Sequence, residues 1–352
     1  MDLENSPVFQ QLVKEWSGHR FDVKDIARWG YARLNGCRED ANESVMFARE
    51  LEYIYAKTYD VLYPGLKCRE LIPVNREVPP GADQHTYQQY DRVGEAKEVV
   101  DYAKDFPTVE VSGKEFQNKI VSLGNGYQYS TQDMRAAAMA KKPLDAMKAR
   151  AARLAMEEKL ERIAATGSDA RGITGLLNAP NVLLTTDTAY TTAMNSFNGS
   201  WDTLTDSSTD VQKIQEDVRN MRNFIWQSTK TVHGNSNLTL LLPTDLFAAL
   251  ESKPQSPTFK DSTIAEFLLR TVPGLSSIEY WLQCDTGGAS GVPRVMMYEK
   301  DPDICELIIP QEFEQLPPQL EGMAFKIFCH MRTGGVSVRR PRACLYSDEA
   351  HS

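Results

Sequence analysis

The chain has 352 residues, of which 41% are hydrophobic and 25% are charged, so it is long enough for two or three globular domains. Its 39 basic and 48 acidic residues give a formal net charge of −9, which argues against a protein dedicated to holding nucleic acid through phosphate neutralisation. No run approaches the roughly 18 apolar residues that span a bilayer, and the acidic start MDLENSPVFQ lacks the pattern of a signal peptide.

Residue types that carry catalysis or bind metals show no useful spacing. The six cysteines never form a CxxC pair and the five histidines form no HExxH pattern, so we expect free thiols in a reducing cytosol and no metal or other cofactor. The nucleophile elbow, the Walker loop and the dinucleotide fingerprint are all missing. Gly287–Gly291 is glycine-rich but lacks the lysine of a phosphate loop, and we interpret it as a surface hairpin.

The first 65 residues or so read as three short amphipathic helices. The first carries Val8, Phe9, Leu12 and Trp16 at helical spacing before Gly18. These apolar faces either pack on their own domain or lie against a neighbouring subunit, and the pattern favours neither.

A short strand is predicted at 71–74, followed by a highly charged stretch at 76–105 with little apolar sequence. Such a segment cannot support itself, so it is either disordered or a long two-stranded excursion that another chain supports. Its interleaved tyrosines, Tyr87, Tyr90 and Tyr102, favour the excursion. The alternation at 106–111 then returns the chain to a sheet.

The strongest helix signal begins at Ser130 and Thr131 and ends at Gly167. Pro143 must kink or divide this helix, because an interior proline removes a backbone hydrogen bond. Three-four spacing predicts one buried face along the helix. Its members are Leu144, Met147, Ala151, Leu154, Leu160 and Ile163.

Residues 170–315 alternate helices and strands, which indicates a mixed α/β domain. Its clearest elements are a helix at 210–227, a strand at 238–242 that Pro243 ends, short helices at 244–252 and 262–271, and strands at 278–282, 295–298 and 307–309. Strands at 325–330 and 335–345 surround a turn at Gly334. Near the end, Arg339, Arg340 and Arg342 form a cluster that suits a phosphate backbone or a partner's acids, and we favour a solvated or intersubunit salt-bridging face.

Several strings, in this order, resemble the major capsid protein of tailed bacteriophages, whose Hong Kong 97-type fold is shared with encapsulin shells. They are YPGLKCRELIPV at 63–74 with PPGA after it, DFPTVEVSG at 105–113, YSTQDMRAAAMAKKPLDAMKARAARLAMEEKL from 129, GITGLLNAPNV at 172–182 and TGGVSVRRPRACLY at 333–346. Each string is only moderately specific, and their order in one chain makes the resemblance strong.

The resemblance implies an α+β capsid fold with five regions. These are an N-terminal arm at 1–65, an extended E-loop with its flanking strands at 66–112, a P-domain with a long spine helix at 113–170, a mixed α/β A-domain at 171–319, and P-domain return strands with the C-terminus at 320–352. It also implies a structural protein, not an enzyme, that assembles into hexamers and pentamers of an icosahedral virion shell around double-stranded DNA. Alternatives are an encapsulin shell around enzyme cargo and a soluble enzyme of unrecognised type.

The same resemblance implies contacts and partners. We expect Val8, Phe9, Leu12, Trp16, Tyr87, Tyr90, Arg92 and Lys97 to contact neighbouring subunits. Portal and decoration proteins would be separate chains, and any scaffold would be either a separate chain or a removed piece. DNA would be packaged without sequence-specific contact, no membrane would be involved, and assembly would take place in the host bacterial cytoplasm. The E-loop lysines Lys97 and Lys104 have no context that fixes a cross-linking partner, so no covalent cross-link is predicted.

Overall fold

The computed structural model describes residues 63–98, 107–140, 144–194, 197–198, 201, 208–235, 237–254 and 262–350. The predictions for the first 62 residues, and for Cys37, lie outside this range. The seven helices of the described residues are α1 (Cys68–Leu71), α2 (Thr131–Ala140), α3 (Leu144–Thr166), α4 (Thr188–Met194), α5 (Ser208–Ser228), α6 (Thr244–Ser252) and α7 (Ile264–Thr271).

Fourteen strands accompany these helices in the described residues. They are β1 (Val74–Asn75), β2 (Gln84–Val93), β3 (Glu110–Lys119), β4 (Val121–Ser130), β5 (Leu183–Leu184), β6 (Leu238–Leu242), β7 (Leu275–Tyr280), β8 (Val295–Glu299), β9 (Cys305–Ile308), β10 (Gln311–Gln315), β11 (Gln319–Glu321), β12 (Ala324–Thr333), β13 (Gly335–Val338) and β14 (Cys344–Ser347). The mixture of helices and sheets agrees with the predicted α+β class.

A long antiparallel pair forms the centre of the sheet that packs on α3. Strand β12 pairs with β4 over ten residues, from Ala324 opposite Ser130 to Thr333 opposite Val121, and pairs on its other edge with β10 and β11. Side chains alternate along β12, so that Cys329 and Met331 are buried in the same core as Leu160 of α3. This core joins the helix to the sheet.

The second core lies around a mixed five-stranded sheet with the order β5-β14-β8-β6-β7. Helix α5 packs on it through side chains at three-four spacing, as the sequence predicts: Val211, Ile214, Val218, Met221 and Ile225 are all buried. The last strand of the chain, β14, lies between β5 and β8, so the closing residues complete this sheet.

Helix α3 ends where the sequence predicts. Gly167 has a φ of 76°, and a Cβ there would lie 2.2 Å from the carbonyl oxygen of Ile173, so only glycine fits. Described helical residues run up to Ala140 in α2 and from Leu144 in α3, and the predicted kink or division at Pro143 lies outside the described residues. At the start of α2, Asp133 accepts a hydrogen bond from the Ser130 N–H and donates its own N–H to Ser130 Oγ, which is the predicted cap.

The predicted buried face of α3 is wrong in its first half. Met147 and Ala151 are exposed, while the buried series starts at Ala152 and continues through Met156 to Leu160. The reason is that the first half of α3 meets β4 through polar contacts, in which Lys148 Nζ donates to the Gln128 carbonyl. The helix reaches the apolar core only farther along.

The prediction of a strand at 71–74 is wrong over part of its length. Residues 68–71 form the helical turn α1, and extended pairing begins at Val74. Glu161 of α3 accepts two hydrogen bonds at this turn. The Lys67 N–H donates to Oε1 at 3.1 Å, and the Cys68 N–H donates to Oε2 at 3.0 Å. An acid that is far away in the chain therefore caps this turn, and the local sequence gives no indication of the cap.

Three smaller predictions are corrected. Gly287–Gly291 is not a hairpin, because Leu282–Thr286 and Ala289–Gly291 form two short 3-10 turns and Gly287 packs against Leu177. The strand predicted at 278–282 is β7, which ends at Tyr280 before the buried Trp281. In place of the single strand predicted at 335–345 there are two strands, β13 and β14, which belong to different sheets. Helix α4 is an additional element that the sequence analysis does not predict.

The five cysteines in the described residues are free and buried. These are Cys68, Cys284, Cys305, Cys329 and Cys344. Burial raises the pKa of each thiol, so they act as small apolar side chains in the core, as the sequence predicts.

Asp217 of α5 is a buried acid that makes stability depend on pH. It accepts hydrogen bonds from Trp201 Nε1 at 3.0 Å and from the N–H and Nδ2 of Asn198, and burial raises its pKa to about 6. The folded chain therefore holds this proton more tightly than the unfolded chain, so the contribution of Asp217 to stability increases as the pH falls from about 6 to about 4. Urea unfolding of subunits compares the wild type with Asp217→Asn, which cannot titrate. As the pH falls from about 7 to about 4.5, we expect the free energy of unfolding of the wild type to rise by about 2 kcal/mol relative to that of the variant. The same difference in free energy of unfolding at both pH values would show that Asp217 does not titrate in this range.

Candidate assembly surface

Strands β2 and β3 form a hairpin that extends from the rest of the chain. They pair antiparallel over ten residues, from Gln84 opposite Lys119 to Val93 opposite Glu110. At about 3.4 Å per residue the ladder is roughly 30 Å long. No third strand joins this pair in the described part of the chain, and almost all of its side chains are exposed. A two-stranded hairpin of this kind is marginally stable in water, so it needs support from outside.

The hairpin root is held firmly by its own chain. Arg332 of β12 donates to Asp83 Oδ1 at 2.8 Å and also to the Pro80 carbonyl, and the Ile120 N–H donates to the Asp83 carbonyl at 3.0 Å. Ile120 is buried with Val78 in a small apolar cluster. These contacts set the direction in which the hairpin leaves the body.

One face of the hairpin is aromatic near the root. Tyr87 and Phe116 are opposite each other, with ring centroids 5.2 Å apart and planes at 17°. The guanidinium of Arg339 lies 5.6 Å from the Tyr87 ring centroid. Partial burial raises the pKa of Tyr87. This predicted contact residue therefore packs within its own chain.

The distal half of the hairpin is exposed and carries several apolar side chains. Tyr90 is 67% exposed, its ring covers Gly113 on the partner strand, and its hydroxyl donates to Gln88 Oε1 at 2.7 Å. Three valines near the distal end, Val93, Val109 and Val111, are each at least 60% exposed. Exposed apolar side chains concentrated on one projection are typical of an interaction surface.

The predicted charged residues lie at the same distal end. Arg92 is exposed opposite Val111, and Lys97 is exposed in the segment that follows β2. Val8, Phe9, Leu12 and Trp16 lie outside the described residues. The structure thus brings Tyr90 and Arg92 together on one face of the hairpin, since both are at even positions of β2, and places Tyr87 on the other.

The sequence analysis did not single out Phe116 of β3. Val109 and Val111 lie in the stretch 106–111 that the sequence predicts to be a strand, but Phe116 lies beyond it and its ring adds to the exposed apolar surface. A second set of exposed apolar side chains lies on α2 and the start of α3, where Met139 is 90% exposed.

The described residues contain no cluster of three or more histidines, cysteines or acids able to hold a metal ion. In the same residues no helix combines the length and the apolar character needed to cross a membrane.

Comparison with solved structures identifies the fold. The capsid of Myoviridae phage XM1 aligns with a TM-score of 0.73 at 14% identity, covering 87% of this chain and 99% of the other. The capsid of an empty GTA particle aligns at 0.60 and 10% identity over 86% and 97%, and the mature capsid of bacteriophage PhiM1 at 0.53 and 10% over 84% and 91%. No curated protein matches the sequence. The chain has the Hong Kong 97-type capsid fold.

The family model that matches this chain is that of a structural shell protein, not of an enzyme. The family model for the major capsid protein matches residues 94–349, which is most of the chain. The chain belongs to the major capsid protein family, and its place is the capsid of a virion. The encapsulin and soluble-enzyme alternatives are not favoured.

Proposed function

We propose that this protein forms hexamers and pentamers of an icosahedral shell that encloses the double-stranded DNA of a tailed phage. The observation that carries the proposal is the ten-pair hairpin, which has two exposed faces and a rigid root. A projection that touches the next copy, repeated in every copy, is a heterologous contact, and such contacts close into rings when the rotation allows.

The regions predicted from the sequence supply the parts of this shell. Residues 1–65 serve as the arm, 66–112 as the E-loop, 113–170 with 320–352 as the P-domain, and 171–319 as the A-domain. Strand β14 adds residues 344–347 to the sheet of the A-domain region, and the hairpin ladder extends the E-loop to Lys119. Strand β14 and the hairpin support this division into regions. They also shift two of the boundaries, because 344–347 join the A-domain sheet and the E-loop hairpin runs to Lys119.

In the assembled shell, Tyr90, Arg92 and Lys97 contact the adjacent subunit, and the apolar residues of the arm, Val8, Phe9, Leu12 and Trp16, add further contacts. Tyr87 contributes indirectly by fixing the hairpin at its root. Scaffolding, portal and decoration proteins are separate chains, DNA is held by confinement with mobile counterions, and assembly takes place in the host cytoplasm.

Reversing the two charges at the distal end tests this proposal. Arg92→Glu with Lys97→Glu should leave the circular dichroism and thermal unfolding of the subunit nearly unchanged, because Arg92 and Lys97 are exposed. The population should shift from shells toward free subunits, and more so at low salt, where repulsion is least screened. Single surface ion pairs contribute only about 0.2–1 kcal/mol, but the contact repeats at every subunit. Electron microscopy and sedimentation measure the shell fraction.

The matched control is Arg219→Glu with Lys230→Glu, which makes the same charge change at exposed positions outside the hairpin. Limited proteolysis supplies an independent readout, with cleavage within residues 76–105 expected to be fast in free subunits and slow in shells. Normal assembly of the hairpin variant, or equal cleavage rates in both states, would contradict the proposed contact.

A further inference from the structure

A cavity of about 590 Å³ opens beside the hairpin root, within the size range of small-molecule sites. Its walls come from four parts of the chain: the aromatic face of the hairpin, the turn region after α3 that includes Asn181, His233 after α5, and the segment 337–343 that begins in β13.

The cavity is electropositive although the protein is acidic. Arg339, Arg340 and Arg342 all line it, and no carboxylate is among its described lining residues. Arg339 is neutralised from outside the cavity by Glu306. Arg340 and Arg342 are exposed, and neither pairs with an acid in the part of the chain that the structure describes. Two guanidinium groups therefore remain for a ligand.

Two successive side-chain hydrogen bonds fix the position of Arg340. Its Nη1 lies 3.2 Å from Nε2 of His233, whose Nδ1 lies 3.0 Å from Oε2 of Glu299. A guanidinium can only donate, so Nε2 accepts and Nδ1 donates to Glu299. The half-buried carboxylate of Glu299 orients the imidazole, and the imidazole orients Arg340 at the cavity.

Two polar atoms in the cavity wall lack partners. Ser337 is 1% exposed, and neither its Oγ nor the Nε of Arg339 has a hydrogen-bond partner among the residues that the structure describes. A buried polar group without a partner costs about 1–3 kcal/mol. Asn118 and Asn181 add side-chain amides to the same wall. This surplus of donors is suited to an acceptor-rich ligand.

The hairpin contributes an aromatic part of the wall. Phe116 is 40% exposed and is stacked on Tyr87, and both line the cavity. An aromatic platform of this kind stacks with nucleobases, and arginine pairs well with phosphate. A carboxylate-bearing peptide would use the guanidinium groups but not the platform.

We propose that this cavity binds a nucleotide, either free or as one unit of a nucleic-acid strand, with its phosphate at Arg340 and Arg342 and its base against Phe116. Arg340 and Arg342 supply the charge, Ser337 supplies a neutral donor, and the aromatic pair supplies the stacking surface. The site is local, so it is compatible with the net charge of −9 for the whole chain.

Fluorescence anisotropy with a labelled single-stranded oligonucleotide on unassembled full-length subunits tests the site. Because no shell is needed, the result is independent of the proposed assembly. We expect Arg340→Ala with Arg342→Ala to weaken binding at least tenfold, about 1.4 kcal/mol, and Ser337→Ala to weaken it severalfold at unchanged net charge. The matched control Arg150→Ala with Arg153→Ala removes the same charge from exposed positions on α3 and should change the affinity by less than about twofold.

Competition identifies the ligand. Displacement by adenosine monophosphate, with adenosine and inorganic phosphate much weaker, supports a nucleotide site, and displacement by a longer strand alone assigns the source to nucleic acid. Absence of binding, equal loss in the control variant, or equally good displacement by an acidic peptide would overturn the proposal.

Discussion

Replacing Glu161 by alanine is expected to reduce the free energy of unfolding by about 3–5 kcal/mol, the largest single-residue effect on stability that we predict. Glu161 is 3% exposed and accepts three hydrogen bonds, from the backbone N–H groups of Lys67 and Cys68 and from Trp281 Nε1 at 2.5 Å. Its carboxylate connects the segment before the hairpin, helix α3 and the region of the five-stranded sheet. Removing it leaves three donors without an acceptor in a region closed to water.

Urea unfolding of unassembled subunits measures this effect. Glu161→Gln keeps one acceptor oxygen but presents an amide NH₂ to a donor, so its loss should be smaller than that of alanine. Glu158→Ala on the same helix is the control, with an expected change within about 0.5 kcal/mol. A loss below about 1 kcal/mol for Glu161→Ala would mean that water or a rearranged side chain replaces the carboxylate.

Shortening the hairpin is expected to abolish shell formation while the subunit stays folded. Residues 89–114 are replaced by Asn-Gly, a sequence that favours a tight two-residue turn between Gln88 and Glu115, which are opposite each other. The variant keeps the Tyr87 and Phe116 stack and the root contacts of Arg332. It loses the exposed Tyr90 and the distal valines.

Sedimentation and negative-stain microscopy give the outcome, with circular dichroism and thermal unfolding to confirm the fold. An unshortened variant with Glu115→Ala tests the pair at the cut, because Glu115 accepts a hydrogen bond of 2.7 Å from Gln88 at the surface, and it should assemble. Shells formed in normal yield by the shortened chain would show that the hairpin is dispensable for assembly.

The best sequence predictions rest on local signals. The spacing from Val211 to Ile225 predicts α5 and its buried face, because one helix face is enough to define such a pattern. Gly167 predicts the end of α3 because no other residue fits its backbone. The tyrosines among the charges of 76–105 favour a two-stranded excursion, and β2 and β3 confirm it.

The candidate site is less accessible to sequence reasoning. Arg92 and Tyr90 are recognisable as residues of a segment that cannot support itself, and the ordered strings reveal the family. The cavity is not recognisable, because it brings together Phe116, Asn181, His233 and Arg340, which are far apart in the chain.

The sequence by itself determined the order of the main elements and the existence of a two-stranded excursion, since spacing, glycine stops and low apolar content act within a few residues. The class of the protein followed from the resemblance of its ordered strings to a known family. The tertiary structure decided the helical turn at 68–71, the buried face of α3 and the place of β14. Each of these depends on a partner far away in the chain: Glu161 for the turn, strand β4 for the helix, and strands β5 and β8 for the last strand. Burial and hydrogen bonding across such separations are properties of the folded chain, and no local pattern records them.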